Sequence, residues 1–411
     1  MIAWLRELNA RERKTLIAAT GGWATDSVDV MVFVYVVPTL MVVWGMSRVE
    51  AGWITTATVI SSAVGGWLAG VLADKFGRVR ILQLTIAWFA FFTFLCGFTN
   101  SFEQLLVARA LQGLGFGGEW AVGSVLIGEM IRPQHRGKAV GTVQSGWAIG
   151  WGVANLLFLL LYSVLPEEWA WRAMFWAGIL PALLVWYIRR NVPEPEVYSA
   201  TRTEVHKRGG HFLEIFSPAL LRTTVLTSLM VTGMMAGYYA VFFWLPTFLK
   251  TERGLSVFGT GLYTFVVIFG SFAGYIAAAY LSDHIGRRMT FFLFAAGSAA
   301  IAILYTQIPI TDAMMLFLGF PLGFFVSGNF SGCGPFLTEL YPSRVRGSGQ
   351  GFVYNLGRGL SAFATPLVGY LSSTMTLGKA IGVVAIVGFA VVILAVSLLP
   401  ETRGKVLAVY D

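Results

Sequence analysis

Two stretches decide the fold: Leu72-Ala73-Asp74-Lys75-Phe76-Gly77-Arg78 and Leu281-Ser282-Asp283-His284-Ile285-Gly286-Arg287. They carry Leu, Asp, Gly and Arg at matching places and stand 209 residues apart in a chain of 411. Glu129, Arg136, Gly137 and Gly141 return at nearly the same offset as Glu339, Arg346, Gly347 and Gly351. Self-similarity over half the chain means duplication, a common way of building membrane carriers.

The composition says what is duplicated. Fifty-six per cent of the residues are hydrophobic and 12% charged, with a mean hydropathy of +0.70, outside the range of a soluble domain. Crossing about 30 Å of hydrocarbon takes roughly twenty apolar residues, and such runs fall near 16–44, 52–73, 80–99, 102–131, 138–165, 170–190, 220–249, 257–281, 289–308, 311–341, 346–372 and 378–399. We expect an all-α membrane protein of twelve transmembrane helices in two six-helix halves, residues 1–190 and 219–411. A polar linker, 191–218, joins them. Pro193-Glu194-Pro195-Glu196 ends the sixth span, and Pro400-Glu401-Thr402-Arg403-Gly404 closes the second half in a similar way.

Charge sets the expected orientation. Of 29 Lys and Arg, five (Arg48, Arg172, Lys250, Arg253, Lys379) fall in the odd-numbered loops and two (Arg109, Arg358) inside spans, leaving 22 on the side of the termini. The positive-inside rule places both termini in the cytoplasm. The net charge of +8 is then a topology signal and does not point to nucleic acid. Met1–Lys14 has no cleavable signal pattern, so the first helix is retained. Cys96 and Cys333 lie in different halves and suggest no disulfide, metal or redox spacing. No cofactor motif, nucleophile elbow or phosphate loop is present, which speaks against an enzyme.

Both Asp-x-x-Gly-Arg loops, the Arg109-Ala-Leu-Gln112-Gly113-Leu-Gly115 run in span 4 and the Pro-Glu-Thr-Arg-Gly tail resemble the major facilitator superfamily over essentially the whole chain. Trp171-Arg172-Ala173-Met174-Phe175, continuing through Gly178-Ile179-Leu180-Pro181 to Arg190-Asn191-Val192-Pro193-Glu194, is similar to the sialate and lactate proton symporters. Asp26-Ser27-Val28-Asp29 is similar to the Asp-Gly-x-Asp of aromatic-acid proton symporters, with Ser27 in place of glycine, and Gly117-Gly118-Glu119 to metabolite proton symporters. Span 5 lacks the Gly-Pro-x-x-Gly-Gly of many drug antiporters. The resemblance implies import of a small organic anion, a bacterial inner-membrane location and a monomer in the bilayer. It also implies a cytoplasmic gate of Asp74, Gly77, Arg78 and Glu129, repeated as Asp283, Gly286, Arg287 and Glu339, with the aspartate capping a neighbouring helix and the arginine reaching the glutamate.

Ionisable groups at membrane depth cost several kcal/mol and default to function. Asp26 and Asp29 lie near the middle of span 1, three residues apart on one face. They suit reversible protonation, or one of them is a permanently ionised structural group. Glu119 is the third carboxyl, either a proton carrier or a helix–helix hydrogen bond across the close contact at Gly117 and Gly118. Arg109 is too far along span 4 from Glu119 to pair with it, so its partner comes from another helix; the other reading is an arginine snorkelling to water. All four histidines are in loops, so carboxylates carry any proton.

Arg358 lies about 18 Å along span 11 from Arg346. Its guanidinium fork suits a carboxylate substrate, or a salt bridge to Asp26 or Asp29. Asn355, one helical turn before it, with Gln144, Asn329, Tyr238 and Tyr239, completes the candidate binding set. Gln144 and Asn329 serve equally as interhelical hydrogen bonds, and the tyrosines as packing. The competing function is a facilitator or exporter of a neutral or cationic solute.

Overall fold

A computed structural model describes residues 3–131, 136–191, 212–342 and 345–403. Most of the expected linker therefore lies outside the described residues. The chain divides into two compact units, Met1–Thr203 and Glu204–Asp411, and all twelve expected spans are helical. In the first unit these are Ala10–Val43, Arg48–Phe76, Arg78–Cys96, Phe102–Met130, Arg136–Val164 and a sixth built from Glu167–Trp176 and Ala182–Asn191. In the second they are Pro218–Thr251, Val257–Ile285, Arg287–Thr306, Asp312–Gly328 with Cys333–Leu340, Arg346–Ser361 with Ala364–Leu371, and Leu377–Leu398. No strand occurs among the described residues.

Local chemistry starts these helices where the sequence changes from polar to apolar. Asn9 and Glu12 form a capping box at the head of span 1, each side chain taking the other's backbone N–H at 2.9 Å. Ser47 and Glu50 do the same for span 2, satisfying donors that a helix start leaves unpaired. Arg172 accounts for part of the motif in span 6. It donates to the carbonyls of Gly97 and Thr99 at 2.8 and 2.9 Å, closing the end of span 3, and lies over the Trp171 ring.

Spans 6, 10 and 11 are discontinuous, which corrects their reading as single helices. Each interruption includes the residue four before a proline: Ala177 before Pro181, Ser331 before Pro335, Ala362 before Pro366. There the ring removes a donor and crowds the preceding carbonyl. Pro38, Pro246 and Pro321 sit inside unbroken helices, so proline alone does not decide the break.

The duplication is visible in the packing. In the first unit Gly65 lies against the Leu114 carbonyl and Gly113 against that of Thr58; in the second, Gly274 lies against Phe324 and Gly323 against Val267. These are equivalent pairs in spans 2 and 4 and in spans 8 and 10. An added Cβ would fall 1.9 to 2.3 Å from a backbone carbonyl oxygen at all four glycines. Small residues bring backbones together here because lipid supplies no hydrophobic drive between helices. Outward-facing Trp67, Leu160 and Phe317 are 67%, 58% and 78% exposed, as a lipid-facing surface requires.

This packing predicts that Gly323→Val destabilises the second unit by at least about 1–3 kcal/mol, the cost of overpacking. Gly351→Ala, where a Cβ meets nothing within 4 Å, is neutral. Thermal unfolding of the purified protein in detergent checks both.

Candidate functional site

The first unit holds a buried charge cluster. Asp29 in span 1 is 1% exposed and Arg109 in span 4 is 2% exposed, with Nη1 donating to Oδ2 at 3.2 Å. Gln112, one turn further along span 4, donates its amide to the same oxygen, and the Thr93 hydroxyl of span 3 donates to Oδ1. The Phe33 ring lies 5.0 Å from the Arg109 guanidinium carbon. Three helices thus meet on one carboxylate.

Arg109 takes its partner from another helix, and burial removes the snorkelling alternative. The cation beside Asp29 belongs to its own unit. Thr93 and Gln112 were not singled out from the sequence. Gln112 lies at i+3 from Arg109 within a quoted run, a spacing that could have indicated it. Asp26 is fully buried. The side chain of Glu119 lies outside the described residues.

The second unit places Arg358, 4% exposed, in the last turn before the break in span 11, where its carbonyl accepts the Ala362 N–H and the Ser361 hydroxyl. A cation is favoured at a helix C-terminus. The guanidinium carbon lies 5.2 Å from the Tyr354 ring centroid. Tyr238 packs edge-on against Tyr239, Phe242 and Phe330 at 6.0, 4.7 and 5.0 Å.

The amides are less central than their positions suggest. Asn355 donates to the Gly351 carbonyl of its own helix at 2.9 Å. Asn329, at the break in span 10, donates to Ser298 of span 9 and to the Phe325 carbonyl. Tyr238 is buried. Gln144 is half-buried on span 5, in the other unit.

The gate motif is fully described in the second unit. Arg287 grips Glu339 with two nitrogens at 3.1 and 2.9 Å and reaches Asp283 at 2.7 Å. Thr402 adds a hydroxyl to Glu339 at 2.6 Å. Glu401 of the terminal motif sits on the N-terminus of span 9. It accepts the backbone N–H groups of Arg287 and Arg288 at 2.9 and 3.1 Å. Gly286 has φ +97°, a backbone conformation that favours glycine. Gly77 repeats the turn at φ 110°. The side chains of Asp74, Arg78 and Glu129 lie outside the described residues.

Helices long and apolar enough to cross a membrane recur in both units, which defines a polytopic membrane protein. The chain belongs to the Major Facilitator Superfamily, whose profile matches residues 21–366 and 261–409. It is 42% identical over 404 residues to a probable 4-methylmuconolactone transporter of Cupriavidus pinatubonensis, covering 98% of this chain and 94% of that one. It is 26% identical to the sialic acid transporter NanX of Escherichia coli, covering 98% of each. A solved D-xylose-proton symporter shares the fold at a TM-score of 0.77 and 21% identity, over 96% of this chain and 99% of that one. The chain is therefore a multi-pass bacterial inner-membrane transporter and not an enzyme.

Two outcomes follow from this geometry. Arg109→Gln strands a buried carboxylate and costs about 3–5 kcal/mol of stability, while Asp29→Asn combined with Arg109→Gln costs less than Arg109→Gln alone; thermal unfolding of the double-mutant cycle reads this. At the gate, burial acts to raise the Glu401 carboxyl, but four backbone N–H donors outweigh it and hold the group below the usual carboxylate range. A depressed acid stabilises the fold above its ordinary value of 4.5 and loses that contribution as pH falls through its lowered native value. Glu401→Gln therefore lowers unfolding temperature at pH 7 and has a smaller effect at pH 3.

Proposed function

We propose that this transporter imports a small organic anion together with protons, by alternating access of the two halves. Both termini face the cytoplasm, as the distribution of basic residues favours. The named relatives that carry organic acids support the substrate class. The observation that carries the reading is Arg358, a second buried guanidinium, placed at a helix break among tyrosines. Discontinuous helices supply the polar sites of many secondary carriers, and a guanidinium is the side chain best matched to a carboxylate.

Asp29, with Arg109, Gln112 and Thr93, is the proposed proton site, and Asp26 and Glu119 are further carboxyls of the same unit. Protonation of Asp29 cancels the charge that draws Arg109, Gln112 and Thr93 inward, loosening the junction of spans 1, 3 and 4. Return of the proton to the cytoplasm restores it. Arg358 holds the anion, with Tyr238, Tyr239, Asn329 and Asn355 as further candidates of the same unit; Gln144 is a candidate on the first unit. The two gate motifs close and open the cytoplasmic side. This division of labour favours coupled import over a facilitator or exporter of a neutral or cationic solute.

The test is uptake of labelled lactate, benzoate, sialate and succinate by proteoliposomes, with protein-free liposomes subtracted. At least one acid accumulates with an inward proton gradient and fails to do so when the gradient is collapsed. Arg358→Lys, which keeps the charge but loses the fork, lowers that uptake about tenfold or more, the scale of one charge-assisted hydrogen bond. Gradient-independent uptake, or unchanged uptake by Arg358→Lys, contradicts the proposal.

A further inference from the structure

The surroundings of Arg358 are unusual for a site that binds a polar molecule. Tyr354 stands one turn before it on the same helix, with the guanidinium 5.2 Å from its ring centroid. Tyr239 of span 7 lies within reach of the guanidinium charge and close to Tyr354. Tyr275 of span 8 lies beside Tyr238 and Tyr354, and Phe330, in the break of span 10, meets the edge of Tyr238. Rings from four spans therefore lie together, and the Tyr354 ring lies against the cation. Tyr239, Phe330 and Tyr354 are half-buried, whereas Tyr238 and Tyr275 are buried behind them.

The nearby amides are largely engaged. Asn355 donates to its own helix, and the amide nitrogen of Asn329 is bound to Ser298 and Phe325. A polyhydroxylated acid needs a matching set of donors and acceptors, because each hydroxyl buried without a partner loses its bonds to water. A flat, unsaturated acid needs one cation for its carboxylate and ring faces for its body. Rigid aromatic walls supply those faces at low entropic cost.

Building on the assignment of Arg358 to the anion, we infer that Tyr239, Phe330 and Tyr354 determine specificity, selecting flat conjugated carboxylates over saturated and polyhydroxylated ones. Arg358 fixes the carboxylate and the three rings read the shape of the body.

Calorimetric binding to the purified protein separates this inference from the reading beneath it. Benzoate is compared with cyclohexanecarboxylate, and sorbate with hexanoate, each pair sharing carbon number and charge but differing in flatness; sialate is the polyhydroxylated probe. The flat member of each pair binds about tenfold more tightly, the worth of one or two favourable ring contacts, and sialate binds more weakly than benzoate. Tyr354→Leu and Tyr239→Leu bring each ratio to within about twofold, while Tyr354→Phe retains it. Equal affinities within the pairs in the unaltered protein overturn the inference without need of any variant, as does a ratio that survives both leucine substitutions. If Arg358→Lys leaves all affinities unchanged, the anion assignment itself fails; if it weakens every acid alike and the pairs bind equally, only the aromatic selection fails.

Discussion

A carboxylate at 1% exposure cannot sit among apolar helices unless its charge is answered where it lies. Asp29 is answered from two other helices, by Arg109 and Gln112 on span 4 and by Thr93 on span 3. These contacts fix the rotation of three helices at one point, since a shift of any of them would leave a buried donor or acceptor unpaired. The glycine contacts between spans 2 and 4 extend the constraint, because a backbone approach without room for a Cβ leaves span 4 little freedom to turn.

The second unit repeats the scaffold without repeating the chemistry. Gly274 and Gly323 meet carbonyls as Gly65 and Gly113 do, yet the buried charge of this unit is on span 11, beside a break and surrounded by rings. One copy thus keeps a carboxylate with its own cation, and the other keeps a cation in an aromatic setting. Duplication supplies two frames, and their buried charges depart from its symmetry. At the tail, Glu401 and Thr402 tie the terminal motif to Arg287 and Glu339.

The sequence revealed much of the fold because a bilayer is a demanding solvent. Twenty apolar residues have few alternatives to a helix, and the repeated Asp-x-x-Gly-Arg motif marks the duplication directly. The breaks were not legible. Hydropathy counts apolar side chains and is blind to the backbone ladder, and Pro181, Pro335 and Pro366 look no different from Pro38, Pro246 and Pro321, which their helices absorb. In the site, charge was the readable signal: Asp29, Arg109 and Arg358 stand out because each is costly where it lies. Their neutral neighbours, Thr93, Gln112 and Tyr354, do not stand out, since threonine, glutamine and tyrosine are ordinary residues of such helices. Only the fold gives them meaning, by bringing them to a buried charge. Arg109's need for a partner from another helix was legible; that Asp29, 80 residues earlier, supplies it was not.

The central claim is that the proton resides on Asp29 while the anion resides at Arg358. The most direct test counts protons taken up when benzoate binds to the purified protein, from binding enthalpies in buffers of different ionisation enthalpy. If the two sites are coupled, anion binding raises proton affinity and the unaltered protein takes up a proton, while Asp29→Asn binds benzoate with no uptake. Proton uptake by Asp29→Asn equal to that of the unaltered protein would contradict the account.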